Sequence, residues 1–290
     1  MRVISFALRE YPEILALTTI IECCKSLSFN DIHWRVFSLP VNTDFDFLSL
    51  FDACRRSGLN VEVIAMEKAF SENTPIFGFK TDMQSEQDKN IDYFFDIFEI
   101  AASRIYRIEP LKVWNDKEIV VVGNIKIKSP VEEFQKEIFY RLAKLPYDVV
   151  VVPRHPLTEE DLKGVVIPKK LNLVNTMGDL ERLHACADAV IMGRIFCFGD
   201  LVSNDDHNPF EATINSNALA GINTNIPKAY QWIYEESGLI HQCESYDQVF
   251  DLLPEVLHDE KIVSKLEQKM DHILKNRHRL LESIKQVLSV

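Results

Sequence analysis

The chain has 290 residues, enough for one large or two ordinary domains, and its 47% hydrophobic and 26% charged residues are typical of a globular protein with a substantial core. Its 44 acidic residues outnumber 32 basic ones and give a formal net charge of -12, which argues against a nucleic-acid-binding protein with a basic face. No segment reaches the roughly 18 apolar residues of a membrane span, and the sequence runs from Met1 straight into a strand pattern, so we expect no signal peptide.

The six cysteines are scattered along the chain and form no CxxC pair. The adjacent Cys23 and Cys24 do not have the spacing of zinc ligands. We therefore predict buried, reduced thiols in a cytoplasmic protein and no metal site.

The first seventy residues alternate strand and helix patterns. Strands are predicted at 2–8, 33–39 and 60–65, and helices at 12–25 and 45–56, the second ended by Gly58. This βαβαβ order predicts a parallel sheet covered by helices.

The next stretch is less regular. Residues 71–90 are polar and lack periodicity, which predicts a loop, and 91–108 are predicted to form a helix with an aromatic stripe. The stripe suits core packing or a patch facing a membrane or partner, and both interpretations stay open. We place a domain boundary near 110–116, which divides the chain into domains 1–112 and 113–290.

A second β run follows this boundary. Its strands and helices alternate again, and the continuous apolar run at 147–152 is typical of a central parallel strand. Strands are predicted at 117–123, 147–152, 164–167, 189–192, 218–222 and 239–241, and helices at 129–144, 180–187, from Pro209, at 229–236 and at 245–258.

The segment from Leu173 to Glu211 contains the candidate binding site. Met177-Gly178 forms a turn after a strand, Gly193 follows the strand 189–192, and Pro209 suits the first turn of a new helix. This pattern places loop groups and a helix N-terminus at the carboxyl ends of strands, where α/β proteins bind ligands and where phosphate is favoured.

Residues 260–290 are predicted to form one long amphipathic helix. Its polar face is basic, whereas the protein as a whole is acidic; the basic residues are Lys261, Lys265, Lys269, Lys275, Arg277, Arg279 and Lys285. Two interpretations stay open: packing against the rest of the protein, or peripheral contact with an anionic membrane surface.

Four pieces of the sequence, in order, resemble the nucleotide-binding half of the 3-deoxy-manno-octulosonate (Kdo) transferases. They are Pro153-Arg154-His155-Pro156, Thr176-Met177-Gly178-Asp179-Leu180, Ala187-Asp188 and His207-Asn208-Pro209-Phe210-Glu211. The resemblance implies an α/β protein of the GT-B fold, with two Rossmann-like lobes of parallel sheet, a cleft between them and a C-terminal helix that packs back on the first lobe.

The resemblance also implies an activity. Kdo transferases move a sugar acid from a CMP-activated donor to a lipid hydroxyl in lipopolysaccharide biosynthesis, with inversion and without a metal or other cofactor. The implied partners are therefore a nucleotide sugar and a glycan or lipid acceptor.

Individual roles follow from the same resemblance. Glu13 falls where the family has its catalytic base, although Pro12 replaces a Gly there and Glu10 is a near neighbour. Glu211 falls where the family binds the donor ribose. The remaining implied nucleotide-sugar ligands are Arg154, His155, Thr176, Met177, Gly178, Gly193, His207 and Asn208.

Several of these residues also have structural interpretations. Glu13 suits a helix start, Arg154 an ion pair below its strand, and His207-Asn208 a helix cap. The chain also departs from the family, because Asp205-Asp206 replaces a Gly-Gly and Gly193-Arg194-Ile195 replaces Gly-Gly-Ser. Two negative charges beside a phosphate are unfavourable by about 1 kcal/mol or more.

Three functions remain open at this point. The first is a glycosyltransferase that uses a CMP-linked sugar, and the second is a relative that binds a nucleotide, sugar or protein without catalysis. The third is an epimerase, since sugar-nucleotide epimerases share the fold, although no residue supports it specifically.

Overall fold

The computed structural model describes most of the chain in separate ranges. These are 2–9, 11–27, 29, 31–39, 50, 52, 54–55, 58–72, 74–80, 89–106, 118–127, 132–154, 156–164, 167–175, 179–196, 208–223 and 225–288. The chain forms two compact units, one of Met1–Arg104 with Ile273–Val290 and one of Ile105–His272. The predicted boundary between residues 112 and 113 lies outside the described ranges and stays a prediction.

Unit 1 contains a five-stranded sheet in which all pairs are parallel and the order is β3-β2-β1-β4-β5. Its strands are β1 Arg2–Leu8, β2 Ile32–Ser38, β3 Glu62–Val63, β4 Ile76–Lys80 and β5 Tyr93–Asp96. Its helices include α1 Tyr11–Ser26, α2 Met66–Ser71 and α3 Ile97–Ala101. The first strand is central because its residues 4–8 are all buried, as a strand covered on both faces requires.

Two predictions between residues 71 and 108 were wrong. The predicted loop contains β4, which pairs with β1, and the predicted helix begins with β5, so that only Ile97–Ala101 is helical. Tyr93 and Phe95 stack on Phe77 across the strand pair, with ring centroids 5.2 and 6.0 Å apart. Aromatic residues favour strands, and this cross-strand packing outweighed the helical spacing.

A glycine ends the helical segment before β3, as predicted. Gly58 has φ +67, the Gly58 amide bonds to the Arg55 carbonyl at 3.1 Å and the Leu59 amide bonds to the Cys54 carbonyl at 3.1 Å. This is a Schellman end, and the left-handed backbone at its centre favours glycine.

Unit 2 contains a six-stranded parallel sheet with the order β11-β10-β9-β6-β7-β8. Its strands are β6 Ile119–Ile125, β7 Asp148–Pro153, β8 Asn172–Leu173, β9 Ala189–Met192, β10 Asn217–Gly221 and β11 Ile240–Cys243. Its helices are α4 Glu133–Lys144, α5 Glu159–Gly164, α6 Leu180–His184, α7 Pro209–Ala212, α8 Gln231–Glu235 and α9 Tyr246–Leu257.

The predicted strand at 164–167 is contradicted at Gly164, and residues 165 and 166 lie outside the described ranges. Gly164 ends helix α5, and the strand that pairs with β7 is β8, further along the chain. An acidic first turn at Glu159, Glu160 and Asp161 explains the helix, since carboxylates are stabilised at a helix N-terminus.

The last helix, α10 Ile262–Leu288, contributes to the core of unit 1, as the resemblance implied. Leu280, Ile284 and Leu288 are buried in the cluster that also contains Ile14 and Leu17 of α1. Within the described ranges, no helix combines the length and the apolar character of a membrane span.

Candidate functional site

The second sheet reverses its direction of growth between β6 and β9. From β6 the chain adds β7 and β8 on one side, then crosses to add β9, β10 and β11 on the other. Open parallel sheets bind ligands outside the carboxyl ends of the strands at this kind of switch point. The candidate site is therefore the end of β6 and the turn after β9.

Two glycines permit close backbone approach at this point. A Cβ on Gly193 would lie 2.4 Å from the Gly123 carbonyl oxygen and 2.7 Å from the Ile125 amide nitrogen. A Cβ on Gly123 would lie 2.7 Å from His184 Nε2. No larger residue fits at either position without a shift of its neighbours.

The backbone directly after Gly123 has an unusual conformation. Asn124 has φ 60, in the left-handed region, and its side chain is largely buried. A register shift in the β6–β7 pair occurs at the same place. Such backbone conformations in non-glycine residues cluster at ligand sites.

Arg154 lies at the same edge of the sheet, directly after β7. Its amide bonds to the Ile125 carbonyl at 2.9 Å, and its side chain is exposed. Among the described residues, none forms an ion pair with this exposed guanidinium.

Helix α7 begins as the sequence predicted. Asn208 is the N-cap, Pro209 is the first helical residue, and the Asn208 side-chain oxygen accepts from the Phe210 amide at 3.1 Å. The Asn208 side-chain nitrogen donates to the Tyr106 hydroxyl at 2.5 Å. The capping interpretation of Asn208 is confirmed, and its role in nucleotide binding stays a prediction.

Glu211 is in the first turn of α7, and its side chain is 13% exposed. Its Oε1 lies 3.7 Å from Nδ1 of the buried His184. Burial lowers the pKa of His184 to about 3, with a smaller opposing contribution from the Glu211 backbone. The imidazole that faces the Glu211 carboxyl group is therefore neutral at physiological pH.

Lys269 of α10 supports the same helix. Its ammonium donates to the carbonyl oxygens of Phe210 at 2.8 Å and Thr213 at 2.5 Å, on either side of Glu211. Lys269 is 4% exposed, and burial lowers its pKa to about 7. The sequence placed Lys269 on the basic polar face of this helix with the other basic residues, and the structure buries it against α7.

Five predicted site residues lie outside the described residues: His155, Thr176, Met177, Gly178 and His207. The acidic pair at 205 and 206 also lies outside them. The described Arg154, Gly193, Asn208 and Glu211 belong to one end of the second sheet. Within the described ranges, no three His, Cys, Asp or Glu side chains are grouped as metal ligands would be.

Glu13 belongs to unit 1, near the end of the first strand. Its side chain is fully buried, 3.2 Å from the Arg9 guanidinium, and it also accepts from the Arg9 amide. Arg9 in turn donates to the Phe79 carbonyl of β4 at 3.0 Å. The pair thus lies at the switch point of the first sheet, between β1 and β4.

Sequence reasoning missed the contributions of Asn124, His184 and Lys269. A histidine on the apolar side of α6 was a weak signal, because buried histidines are common without any binding role. Asn is one of the residues that tolerate a left-handed backbone, but nothing in the sequence locates that conformation. Lys269 shares the spacing of the exposed lysines, so only the packing of α10 separates it from them.

No protein-family model matches the chain, and no curated protein is similar to it in sequence. Solved structures are similar over the whole chain. The glycotransferase of kitacinnamycin has a TM-score of 0.59 at 10% identity, and the match covers 98% of this chain and 97% of that one. S. aureus MnaA in a structure with UDP has a TM-score of 0.58 at 10% identity, covering 100% and 97%.

A putative UDP-N-acetylglucosamine 2-epimerase from Listeria monocytogenes has a TM-score of 0.54 at 8% identity, covering 99% and 96%. At these identities the likeness shows the fold alone. The chain has the GT-B fold that the resemblance implied. The likeness does not distinguish Kdo transferases from other proteins of this fold.

Proposed function

We propose that the chain is a glycosyltransferase that binds a nucleotide sugar at the switch point of its second sheet and transfers the sugar to a hydroxyl acceptor. The observation that carries the proposal is the convergence of an exposed arginine, two close-approach glycines and a partly exposed carboxylate at one end of this sheet. The fold is shared with glycosyltransferases, which supports the reaction class.

The chemistry of these groups fits the parts of a nucleotide sugar. Arg154 offers a planar, permanently charged fork to a phosphate or a sugar carboxylate. The glycines at 123 and 193 let the end of β6, the turn after β9 and His184 pack closely together at this edge of the sheet. Glu211 can accept hydrogen bonds from both ribose hydroxyls, because each carboxylate oxygen has two lone pairs.

The finer part of the proposal rests on the sequence resemblance. It specifies a CMP-linked sugar acid as donor, inversion at the anomeric carbon and a metal-independent reaction. The acceptor is a glycan or a lipid, and the basic surface of α10 would add affinity for an anionic membrane.

The test is isothermal titration of the protein with CMP, UMP, UDP and GDP. We expect selective binding of CMP and an affinity loss of about 10- to 100-fold in Glu211→Ala, since hydrogen bonds to a charged group are the strong ones. Glu137→Ala, at an exposed position of α4, is the matched control and should bind as the wild type does.

Two other outcomes are informative. Selective binding of a different nucleotide would keep the nucleotide-sugar site and replace the CMP donor. No binding of any of the four nucleotides by the folded protein would contradict the proposal.

A second candidate function is binding of a nucleotide sugar without transfer. The observation that favours it is the burial of Glu13 against Arg9, because a general base must reach the proton of the acceptor hydroxyl. In the first candidate function this pair would have to open when the acceptor binds.

Glu13→Gln separates the two candidates. If Glu13 is the base, nucleotide affinity is retained and turnover of a CMP-sugar falls by about 10²- to 10⁴-fold. Arg9→Gln combined with Glu13→Gln controls for stability, since removal of one partner leaves a buried charge at a cost of about 3–5 kcal/mol. Absence of any turnover by the wild type, with nucleotide binding intact, would favour the second candidate.

A further inference from the structure

His184 is a buried polar side chain that the proposed reaction does not yet use. It is the last residue of α6, and it is 1% exposed. Neither ring nitrogen makes a hydrogen bond of normal geometry in the part of the chain that the structure describes, although the Glu211 backbone lies close enough to oppose the lowering of the ring's pKa. Buried polar groups are almost always hydrogen-bonded, so an exception calls for a physical explanation.

The surroundings of the ring give its two nitrogens different roles. Nε2 faces the end of β6, where a Cβ on Gly123 would approach it to 2.7 Å. Nδ1 faces the Glu211 carboxylate at 3.7 Å. A neutral imidazole has one donor and one acceptor nitrogen, and the carboxylate accepts only. The proton is therefore favoured on Nδ1.

The 3.7 Å separation is longer than the 2.7–3.2 Å range of a protein hydrogen bond. A hydrogen bond between the two groups therefore requires this separation to shorten when a ligand binds. The backbone of α7 is held on another side by Lys269, which bonds to the carbonyls of Phe210 and Thr213.

We propose that His184 is a positioning residue for Glu211: with a nucleotide bound, its Nδ1–H donates to Oε1 and holds the carboxylate towards the ribose hydroxyls. The proposal rests on the proposed nucleotide site. It assigns the histidine no proton transfer and no direct contact with the ligand. It also explains why Gly123 is a glycine, since any Cβ there would displace the imidazole.

The experiment compares ribose with deoxyribose. Wild type, His184→Phe and His184→Asn are titrated with CMP and 2′-deoxy-CMP, or with UDP and 2′-deoxy-UDP if UDP is what the wild type binds. Phe keeps a buried ring without a donor, and Asn places an amide N–H near the Nδ1 position. We expect the wild type to prefer the ribonucleotide and His184→Phe to lose about tenfold of that preference, with the deoxynucleotide affinity nearly unchanged.

His184→Asn should restore part of the preference. A purely structural role would weaken both nucleotides equally, so an unchanged ratio in His184→Phe would overturn the proposal. If the wild type binds no nucleotide, the proposed function itself fails and this inference falls with it.

A second measurement needs no nucleotide. Nitrogen-15 spectra of the histidines, assigned by the signal lost in His184→Asn, report which ring nitrogen carries the proton. We expect the Nδ1–H tautomer, and an Nε2–H tautomer would overturn the proposal while leaving the nucleotide site intact.

Discussion

Lys269 illustrates how one side chain can have a role that its neighbours in the sequence do not share. It is 4% exposed and its ammonium bonds to two backbone carbonyls of the α7 region. These bonds compensate only part of the hydration that the charge loses on burial, and the pKa is therefore lowered from 10.5 to about 7. The lysine thereby holds the backbone on either side of Glu211.

This lowered pKa predicts a pH-dependent stability. Above about pH 7 the unfolded chain binds a proton that folded Lys269 has released, so the free energy of unfolding rises with pH by as much as about 1.4 kcal/mol per unit. In Lys269→Met this contribution disappears. Urea unfolding of both proteins at several values between pH 7 and pH 9 measures their free energies of unfolding. The free energy of the wild type minus that of Lys269→Met should increase with pH.

The matched control is Lys275→Met, an exposed residue of the same helix. The difference in free energy of unfolding between Lys275→Met and the wild type should not vary with pH. A constant difference for Lys269→Met would contradict the assigned protonation.

At the scale of elements, the site depends on how closely β6 approaches the turn after β9. These two strands are neighbours in the sheet, and Gly193 follows β9 directly. The Cβ position of Gly193 is in contact with backbone atoms of Gly123 and Ile125, which belong to β6. Backbone atoms of a central strand cannot move without disturbing its ladder.

Gly193→Ala should therefore destabilise the protein by about 1–3 kcal/mol, the usual cost of overpacking, and weaken nucleotide binding. Gly78→Ala is the comparison within a strand: its Cβ would lie 2.9 Å from Cδ1, the far end of the Ile91 side chain, and not against backbone atoms. We expect a smaller loss of stability there and unchanged nucleotide affinity. Thermal unfolding measures the stability of each variant, and titration measures its nucleotide affinity. Equal losses of stability and affinity in the two variants would contradict the role assigned to Gly193.

At the scale of the molecule, both units repeat one plan. Each sheet is parallel and starts from a central strand, adds two strands on one side and then crosses to the other side. The chain then returns, since residues 273–290 belong to unit 1 and their apolar side chains join its core. The first unit thus needs the end of the chain to complete its core.

Ile284→Ala tests this dependence. Ile284 is fully buried, and its truncation should cost unit 1 about 2–5 kcal/mol. Hydrogen exchange should become faster in β1, β2 and β4 and stay unchanged in β6, β9 and β10. Gln286→Ala, at an exposed position of the same helix, is the control and should alter neither. Faster exchange confined to unit 2 would contradict the assignment of this helix to the first core.

The candidate site was predictable in part. The roles of Asn208 and Pro209 at a helix start could be predicted because capping depends only on residues next to one another in the sequence. The structure confirms both roles. Glu211 and Arg154 were identified by resemblance, and their functional roles stay predictions. His184 and Asn124 could not be identified, since the burial of one and the left-handed backbone of the other arise from contacts between distant segments.

The sequence by itself determined the alternation of strands and helices, the parallel α/β class and the amphipathic last helix, because apolar periodicity and capping residues act over a few neighbours. The sequence analysis misassigned β4 and β5. These segments form strands because β4 pairs with β1 and β5 pairs with β4. Only the tertiary structure decided the strand order, the switch points and the side of α10 that faces α7. These depend on which distant surfaces bury each other, and local sequence patterns carry little information about that choice.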